Sequence, residues 1–427
     1  MSKFQVILLS VFGFFILLSV VVFSQYRGSS NASSEVTIWG SFNSFEFNAF
    51  LNNSGVTQEK DVKINYLEIP DQDIEARFTE ALATGRGPDL IILSQENYWK
   101  NREKLVPIPF DSITAREFKD TFAEIGELFL YPDRGIYALP LAIDPLVLYY
   151  NRDILSSASI AKPIQYWDEV YDTSLKLTKK DGAGNIIQSA ISLGDVRNIY
   201  NAKEIISMLF LQAGTPIMSL AGGNLSSSIS DNFGLPVPPA NVAVDFFTQF
   251  ANPSKTFYSW NPSLPEAQTA FASGDVAYYI GFASEYSSIK SKSPTLNFAV
   301  APVPQSRADG RTITFGKVYG IALARNSKNI QASITSATKL VSNSKAQMFS
   351  QAFAIPPARR DLLSVRPTDS VLPVFYQSGL QARGFIDPDR EVTKNLFESM
   401  LFEVSSGRVR TSEAVLEIDR RLESLLK

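Results

Sequence analysis

The sequence predicts an α/β protein built from more than one packed unit. Residues 36–39, 62–66 and 90–93 are short apolar or alternating runs of the kind that form strands. Between the second and third runs, apolar residues recur every four positions from 74 to 82, which predicts a helix that ends at Gly85. Strands that alternate with helices form a parallel sheet with helical crossovers. The chain of 427 residues exceeds the usual size of one core, so we expect two or three units.

The composition excludes several classes of site. The chain contains no cysteine and no histidine, which rules out disulfides, thiolate or imidazole metal ligands, cysteine nucleophiles and histidine-based triads. Carboxylates, lysines and tyrosines remain for acid–base chemistry. No glycine-rich dinucleotide loop follows a strand, and the aspartate pairs at 71/73 and 387/389 are too sparse for a calcium loop. We therefore expect no cofactor and no metal.

The charge pattern gives no sign of a nucleic-acid partner. Lys and Arg number 40 and Asp and Glu number 43, for a formal net charge of −3. Neither a block of like charge nor a basic stripe occurs along the chain, and both are typical of proteins that bind nucleic acid. We therefore expect no nucleic-acid partner.

The N-terminal segment predicts a membrane helix. Residues 4–23 are almost continuously apolar and carry no charge. As a helix this run would extend roughly 30 Å, about the thickness of a bilayer core. We favour an uncleaved transmembrane anchor over residues 1–24; the alternative is a cleaved signal, whose nearest candidate site, around Ser24, is weak. Residues 25–35 are rich in serine, glycine and asparagine, a composition typical of a flexible linker.

The remainder of the chain continues the α/β pattern. Residues 146–150 and 318–324 have strand character, and a polar turn around 180–184 indicates a hairpin. Residues 219–239 are rich in serine, glycine, asparagine and proline, so we expect a loop there. The last quarter of the chain is mostly helical in pattern.

Six short motifs follow one another along the chain. One is the stretch GIYALP leading into LYYN, within residues 135–151, and another is AFASGDVAYYIG at 270–281. The others span residues 78–91, 162–169, 298–304 and 320–329. In this order the motifs resemble the family 1 extracellular solute-binding proteins of ABC importers, the maltose-binding-protein type. The chain departs from that family's motifs at Tyr166 and Tyr278, where the family usually has threonine and methionine. The resemblance covers roughly residues 36–427.

The resemblance implies the type II periplasmic-binding-protein fold, in which two α/β lobes are joined by crossing strands and hold a ligand in the cleft between them. It implies a first lobe of residues 36–143 plus 289–323 and a second lobe of residues 145–285 plus 328–427. The carboxyl ends of strands, where α/β sheets bind ligands, would face this cleft. Many relatives are tethered by a lipid on a cysteine. This chain has no cysteine, so the apolar N-terminal helix would take the place of the lipid.

Three candidate ligand-binding residues lie at the end of the first predicted strand. Trp39 ends that strand, and Ser41 and Phe42 follow it where the chain should reach the cleft. A sugar site needs flat apolar faces for the ring and a few hydrogen-bonding groups for the hydroxyls. Core packing is an equal alternative for Trp39.

Two carboxylates are further candidates. The resemblance places Asp144 at the first crossover between lobes, where sugar-binding relatives carry an acidic contact; the alternative is a structural hydrogen bond at the hinge. An aspartate among apolar residues needs a partner in either case. Glu96 follows the strand at 90–93 and would face the same cleft, although a surface carboxylate at a helix start explains it equally well.

The remaining candidates come from the second half of the chain. Trp260 lies in a proline-rich loop, and loops often carry binding residues. Phe282 and Glu285 follow Gly281 at a helix start; sugar binders often have a tryptophan after this glycine, so Phe282 argues mildly against a sugar. Tyr319 lies where relatives cross back towards the cleft.

The sequence therefore predicts a binding protein with no catalytic residues. It would capture a small polar ligand, a sugar or oligosaccharide, outside the cytoplasm while held at the cell membrane by a single N-terminal helix. Its partners would be the membrane subunits of an ABC importer, and closure of the lobes over the ligand would be its mechanism. Two alternatives stay open: a membrane-anchored carbohydrate-active enzyme that uses Asp144 and Glu96, and a ligand-sensing subunit of a signalling receptor.

Overall fold

The structure is a computed structural model that describes residues 34–56, 62–307 and 310–426, together with Gly13 and Ile16. The predicted membrane segment at residues 4–23 lies outside the described residues except at those two positions. Among the residues described, no helix combines the length and the apolar character needed to cross a membrane.

A single large sheet runs through the protein. The strands of the described residues are β1 (Ser34–Gly40), β2 (Val62–Glu68), β3 (Leu90–Ser94), β4 (Leu105–Val106), β5 (Leu130–Tyr131), β6 (Gly135–Ile136), β7 (Leu139–Asn151), β8 (Lys179–Lys180), β9 (Ile186–Ile191), β10 (Met218–Ala221), β11 (Asn224–Ser227), β12 (Val276–Phe282), β13 (Phe298–Ala301), β14 (Thr314–Ala324) and β15 (Ala382–Arg383). Eleven of these strands form one sheet in the order β2-β1-β3-β14-β7-β12-β9-β8, with β13 paired to β7 and with β4 and β15 paired to β14. The pairs β5–β6 and β10–β11 are separate hairpins.

Helices cover the sheet. In the described part of the chain they are α1 (Ser44–Ser54), α2 (Ile74–Ala83), α3 (Gln95–Asn101), α4 (Ala115–Thr121), α5 (Arg152–Ser157), α6 (Glu169–Leu177), α7 (Ala202–Gln212), α8 (Pro239–Thr248), α9 (Ala267–Ala272), α10 (Glu285–Lys292), α11 (Ile330–Leu340), α12 (Asn343–Phe353), α13 (Arg360–Leu363), α14 (Leu372–Gln381), α15 (Arg390–Ser405) and α16 (Thr411–Ser424). Short 3-10 turns occur at Arg102–Lys104, Glu124–Phe129 and Gln249–Ala251.

The parallel unit predicted at the start of the chain is confirmed. β1 pairs in parallel with β2 and with β3, and Trp39 of β1 stands opposite Ile91 of β3. Helices α1 and α2 form the crossovers, and their buried residues, such as Phe47 and Phe78, recur on one face. These elements form the first lobe.

Two long strands join the lobes. β7 contains 13 residues and is buried along nearly its whole length; at about 3.3 Å per residue it spans roughly 43 Å. Its first half pairs antiparallel with β14, with Asp144 opposite Lys317, and its second half pairs with β12 and β13. Because one strand belongs to both halves of the sheet, the lobes share a hydrogen-bonded connection at the crossover.

The second lobe is built on the far half of β7. β12 pairs with β7 antiparallel and with β9 in parallel, and β8 and β9 form the hairpin predicted around residues 180–184. Helix α7 packs against α8 and β14, and the C-terminal helices α15 and α16 pack against α8. The core of this lobe therefore includes the end of the chain.

Three segments differ from the expectations drawn from the sequence. Helices α11 and α12, expected in the second lobe, pack against β1, β2 and α1 of the first lobe. β13, expected in the first lobe, pairs with the second-lobe half of β7. The expected loop at 219–239 begins with the hairpin β10–β11, because Gly222 and Gly223 both adopt positive φ and supply its tight turn.

A substitution at Gly135 tests how closely the β5–β6 hairpin packs against the backbone at Ile108. Its φ is +125°, and a Cβ built on it would lie 2.3 Å from the Ile108 carbonyl oxygen. We expect Gly135→Ala to lower the free energy of unfolding by roughly 3 kcal/mol, because strained backbone and steric overlap add together. Urea denaturation at neutral pH measures the change.

Gly182→Ala is the matched control for this substitution. Gly182 lies in the β8–β9 turn with open space around its Cβ position and no positive φ. Its substitution should change stability by less than about 0.5 kcal/mol. Equal effects of the two substitutions would contradict the packing argument.

Candidate functional site

The crossover between the lobes brings several of the predicted residues together. Asp144 on β7 stands opposite Lys317 on β14, and Tyr319 lies on the same face of β14 as Lys317 because side chains alternate along a strand. Phe282, at the end of β12, lies beside this pair, with the Lys317 ammonium 4.6 Å from the centre of its ring. The crossover is therefore a meeting point of groups that are far apart in the sequence.

Lys317 is central to this region, and sequence reasoning missed it. Its ammonium lies 3.4 Å from Glu96 Oε2 and 3.2 Å from Glu204 Oε1. Burial lowers the pKa of Lys317, but the two carboxylates raise that pKa by more, so it lies well above the usual lysine range. The signal in the sequence was a charged residue inside an apolar strand pattern, directly after Gly316.

A second buried ammonium joins the two lobes. Lys203 Nζ, at the start of α7, lies 3.0 Å from Glu96 Oε1 and 2.6 Å from Asp387 Oδ2, and none of these three side chains is more than 2% exposed. The Thr393 hydroxyl donates a further hydrogen bond to Asp387 at 2.7 Å. Because Glu96 belongs to the first lobe and Lys203 and Asp387 to the second, this buried triad holds the lobes together.

The carboxylates of the triad have opposite pKa shifts. Burial alone would raise the pKa of Glu96, but Lys203, Lys317 and Arg390 together hold it well below its usual range. Burial raises the pKa of Asp387, and Lys203 offsets only part of that increase. Glu96 was predicted to face the cleft; in the structure its oxygens are directed at cations.

Further ion pairs extend the contact between lobes. Arg390, at the start of α15, pairs with Asp71 and lies 3.8 Å from Glu96 Oε2. Lys100 of the first lobe lies 2.8 Å from Asp389 Oδ2 of the second lobe. Three of the four aspartates judged too sparse for a calcium loop, Asp71, Asp387 and Asp389, therefore serve as partners of cations.

Asp144 is buried at the hinge. Its Oδ1 accepts a hydrogen bond from the Ser284 backbone N–H at 3.0 Å, the kind of hinge bond foreseen as the alternative role. Burial raises the pKa of the carboxyl group to about 6, although the bonds from Ser284 and the charge of Lys317 favour its ionised form. The buried carboxyl group of Asp144 therefore keeps its proton at a higher pH than an exposed aspartate does.

Glu285 is held by four donors. It accepts hydrogen bonds from Asn201 Nδ2 at 2.7 Å, Gln268 Nε2 at 2.7 Å, the Tyr279 hydroxyl at 2.6 Å and the Phe282 backbone N–H at 2.8 Å. These bonds occupy both of its oxygens. Glu285 therefore positions the residues around it, and it also lines the cavity described next, so a direct contact with a ligand stays a prediction.

A cavity of about 380 Å³ opens beside these groups. We call it the Lys317 cavity; its walls include Tyr200, Asn201, Gln268, Phe282, Glu285 and Lys317. Tyr200 lies at its edge with 70% of its surface exposed. An exposed tyrosine beside amide groups was not foreseen from the sequence, since Tyr200 precedes an ordinary helical pattern.

Other predicted residues lie elsewhere. Trp260 was expected to line the cleft, but it is fully buried in the second lobe, where its indole N–H donates to Asn198 Oδ1 at 2.8 Å. Trp39 and Ser41 are half-buried in the first lobe and do not line the Lys317 cavity. Phe42 packs edge-on against Tyr319, with ring centres 5.2 Å apart, and both lie outside the walls of that cavity.

The raised pKa of Asp144 predicts a pH-dependent stability change. A carboxyl group whose pKa is higher in the folded chain destabilises the fold once pH rises through that pKa. We expect Asp144→Asn to raise the free energy of unfolding by about 1–3 kcal/mol near pH 8 and to have little effect near pH 3.5. Urea denaturation across this pH range measures it.

Asp120→Asn serves as the control for Asp144→Asn. Asp120 is a well-exposed carboxylate on α4, so its replacement should give nearly the same small change at both pH values. If Asp144→Asn raised the free energy of unfolding equally at both pH values, burial would not be what raises the pKa of Asp144.

The buried triad predicts a large effect of removing one charge. Glu96→Gln leaves Lys203 and Lys317 with one carboxylate each, so we expect a loss of roughly 3 kcal/mol in the free energy of unfolding at pH 7. Glu417→Gln breaks an exposed pair with Arg421 on α16 and should cost no more than about 0.5 kcal/mol. Similar losses for the two variants would show that the triad does not join the lobes.

Curated relatives match much of the chain at low identity. A binding protein of Brucella abortus is 25% identical over 278 residues, which is 63% of this chain and 62% of that protein. The maltotriose-binding protein of Pyrococcus abyssi is 24% identical over 286 residues, which is 65% of this chain and 55% of that protein. The matched part thus spans less than two thirds of the length of these relatives.

Solved structures match nearly the whole chain. The GacH receptor of Streptomyces glaucescens, whose structures include the unliganded form and acarbose complexes, superposes with a TM-score of 0.71 at 18% identity over 92% of this chain and 98% of that one. The cyclic α-maltosyl-1,6-maltose binding protein of Arthrobacter globiformis gives a TM-score of 0.75 at 15% identity over 92% and 99%. These likenesses establish the two-lobe periplasmic-binding-protein fold.

The family model for bacterial extracellular solute-binding proteins matches residues 47–347, which include β7, β12 and most of both lobes. That range contains all six motifs and all but the first three of the predicted site residues. The chain belongs to the family of bacterial extracellular solute-binding proteins.

Proposed function

We propose that the protein captures a sugar or oligosaccharide in the cleft between its lobes and delivers it to the membrane subunits of an ABC importer. The observation that carries this proposal is the Lys317 cavity at the crossover, in a chain whose family consists of solute-binding proteins. Its volume of about 380 Å³ falls in the range usual for small-molecule sites.

The chemistry of the cavity suits an uncharged polar ligand. Tyr200 and Phe282 supply aromatic surface, and Asn201 and Gln268 supply amide groups. Lys317 is already paired with Glu96 and Glu204, and the carboxylates Glu266 and Glu285 also line the wall, so the cavity disfavours an anionic ligand. The GacH receptor binds acarbose and the Arthrobacter globiformis protein binds cyclic α-maltosyl-1,6-maltose, and the likeness to them supports a sugar as the ligand here.

Lobe closure is the mechanism that this arrangement supports. The wall residues Tyr200 and Phe282 belong to the second lobe, and Lys317 on the crossing strand is paired to Glu96 of the first. A ligand that fills the cavity adds contacts where the lobes already meet, so it shifts the population towards the closed form. Asp144, beside Lys317 at the hinge, would sense that shift through its hydrogen bond to Ser284.

Binding without turnover is the better-supported role. An enzyme that used Asp144 and Glu96 as paired carboxylates would need both to reach the substrate. Glu96 is 2% exposed and lies within 4 Å of three cations, and these cations keep its pKa low. It cannot serve as a proton donor in that state, which argues against a glycosidase.

The proposed location rests on the N-terminal sequence. We propose that residues 4–23 tether the protein as a single membrane helix, with the two lobes outside the cytoplasm. The absence of cysteine leaves no site for a lipid anchor on a thiol. The proposed lobes are those predicted from the sequence, except that α11 and α12 belong to the first lobe and β13 to the second.

A sugar panel tests the proposed function. The full chain in detergent should gain thermal stability with one class of neutral oligosaccharide, since a ligand at 100 times its Kd adds about 2.7 kcal/mol. Tyr200→Ala should lower the affinity for that oligosaccharide by about tenfold, because contact between an aromatic side chain and a sugar ring contributes of order 1 kcal/mol. Calorimetric titration measures both.

Phe45→Ala is the matched control for Tyr200→Ala. Phe45 is another highly exposed aromatic residue, on α1 and away from the Lys317 cavity. Its replacement should leave the affinity unchanged. If no sugar in the panel raised the thermal stability and a peptide or a polyamine did, the sugar assignment would be wrong.

A further inference from the structure

A second cavity, of about 460 Å³, lies between the lobes and shares no residue with the Lys317 cavity. We call it the Arg134 cavity. Its first-lobe wall includes Trp99, Tyr131 and Arg134, and its second-lobe wall includes Asn224 and Leu225 of the β10–β11 hairpin. A ligand in it would touch both lobes.

A hydrogen bond joins the first-lobe wall of this cavity to its second-lobe wall. The Tyr131 hydroxyl donates to the Gly223 carbonyl oxygen at 2.5 Å. Gly223 has φ of +80°, and a Cβ on it would lie 3.0 Å from the Tyr131 hydroxyl oxygen. Glycine at this turn therefore allows the hairpin to approach the first lobe closely.

Of the cations in and beside the Arg134 cavity, Arg134 itself differs from the others in its charged neighbours. Lys100 is shared between Glu75 at 2.9 Å and Asp389 at 2.8 Å. Arg102 and Arg325 each lie 3.8 Å from Glu103. No carboxylate of the described residues lies within 4 Å of the Arg134 guanidinium, whereas every other cation named here has one.

Aromatic rings orient the two guanidinium groups of the cavity wall. Arg134 lies over the Tyr131 ring at 5.2 Å, and Arg102 lies over the Trp99 ring at 4.1 Å. The Trp99 and Tyr131 rings stack on each other with centres 6.3 Å apart. Arg134 is also hydrogen-bonded to the Tyr137 side chain. Because a guanidinium has five N–H donors, the others can meet a planar anion, and a carboxylate fits that edge with two hydrogen bonds.

The backbone fixes the position of Arg134. The residue before it, Asp133, adopts a left-handed φ of +64°, and the residue after it, Gly135, has φ of +125°. Such conformations persist only where the surroundings hold them, and they cluster at binding sites. The turn therefore presents Arg134 at a set place on the cavity wall.

We propose that the Arg134 cavity binds an acidic sugar, with Arg134 receiving its carboxylate. Trp99 and Leu225 supply apolar surface for the sugar ring, and Asn224 supplies an amide for a hydroxyl. The cavity is large enough for a sugar unit and its carboxylate. This site goes beyond the proposed function, because it takes a charged ligand and does not require that the Lys317 cavity be filled.

Calorimetry with a matched pair of oligosaccharides tests the proposal. The full chain in detergent is titrated with trigalacturonate and with its neutral counterpart, α-1,4-linked galactotriose, at the same ionic strength. We expect trigalacturonate to bind at least about tenfold more tightly, because a hydrogen bond to a charged group contributes strongly. Arg134→Gln should remove that preference, and Arg134→Lys should restore it in part because the charge returns without the fork geometry.

Arg116→Gln is the control, because it deletes the same charge from a side chain that is 92% exposed on α4. It should leave the preference for trigalacturonate intact. Failure of trigalacturonate to bind, an equal loss with Arg116→Gln, or inorganic phosphate that competes as strongly as the sugar acid would each overturn the proposal. Failure of the neutral sugar panel concerns the Lys317 cavity and leaves this result standing.

Discussion

The relation between the two lobes depends on one buried ammonium group. Lys203 Nζ lies between Glu96 of the first lobe and Asp387 of the second, and all three side chains are almost completely buried. Taking a charge out of water costs several kcal/mol unless its partners are close, so none of the three is stable in its position without the others. This requirement sets the distance between the lobes where α3, α7 and the start of α15 meet.

The ion pairs between the lobes also lie beside both cavities. Glu96 is paired to Lys317, which lines one cavity, while Lys100 and Asp389 join the lobes beside the other. The two cavities therefore differ in charge: carboxylates neutralise Lys317 in one, whereas in the other no carboxylate of the described residues lies within 4 Å of the Arg134 guanidinium. A change in the spacing of the lobes would alter both cavities at once, because the same pairs connect their walls.

Sequence reasoning named some of the residues that meet at the crossover and missed others, and the reason is visible in individual residues. Asp144 and Phe282 were named because they lie within or beside motifs that span the crossover. Trp260 was misplaced, because a proline-rich loop gives no sign that Asn198 will bury and bond its indole. Lys317 was overlooked, because the pattern of an apolar strand drew attention to its neighbours, and its role depends on carboxylates from two other elements.

The sequence by itself determined the α/β class, the parallel start of the first lobe and the exclusion of thiol and imidazole chemistry. These properties depend on local periodicity and composition, which a chain carries in any conformation. Only the tertiary structure decided which charges meet. Glu96 and Asp387 are separated from Lys203 by 107 and 184 positions, and no local pattern encodes a contact between residues so far apart.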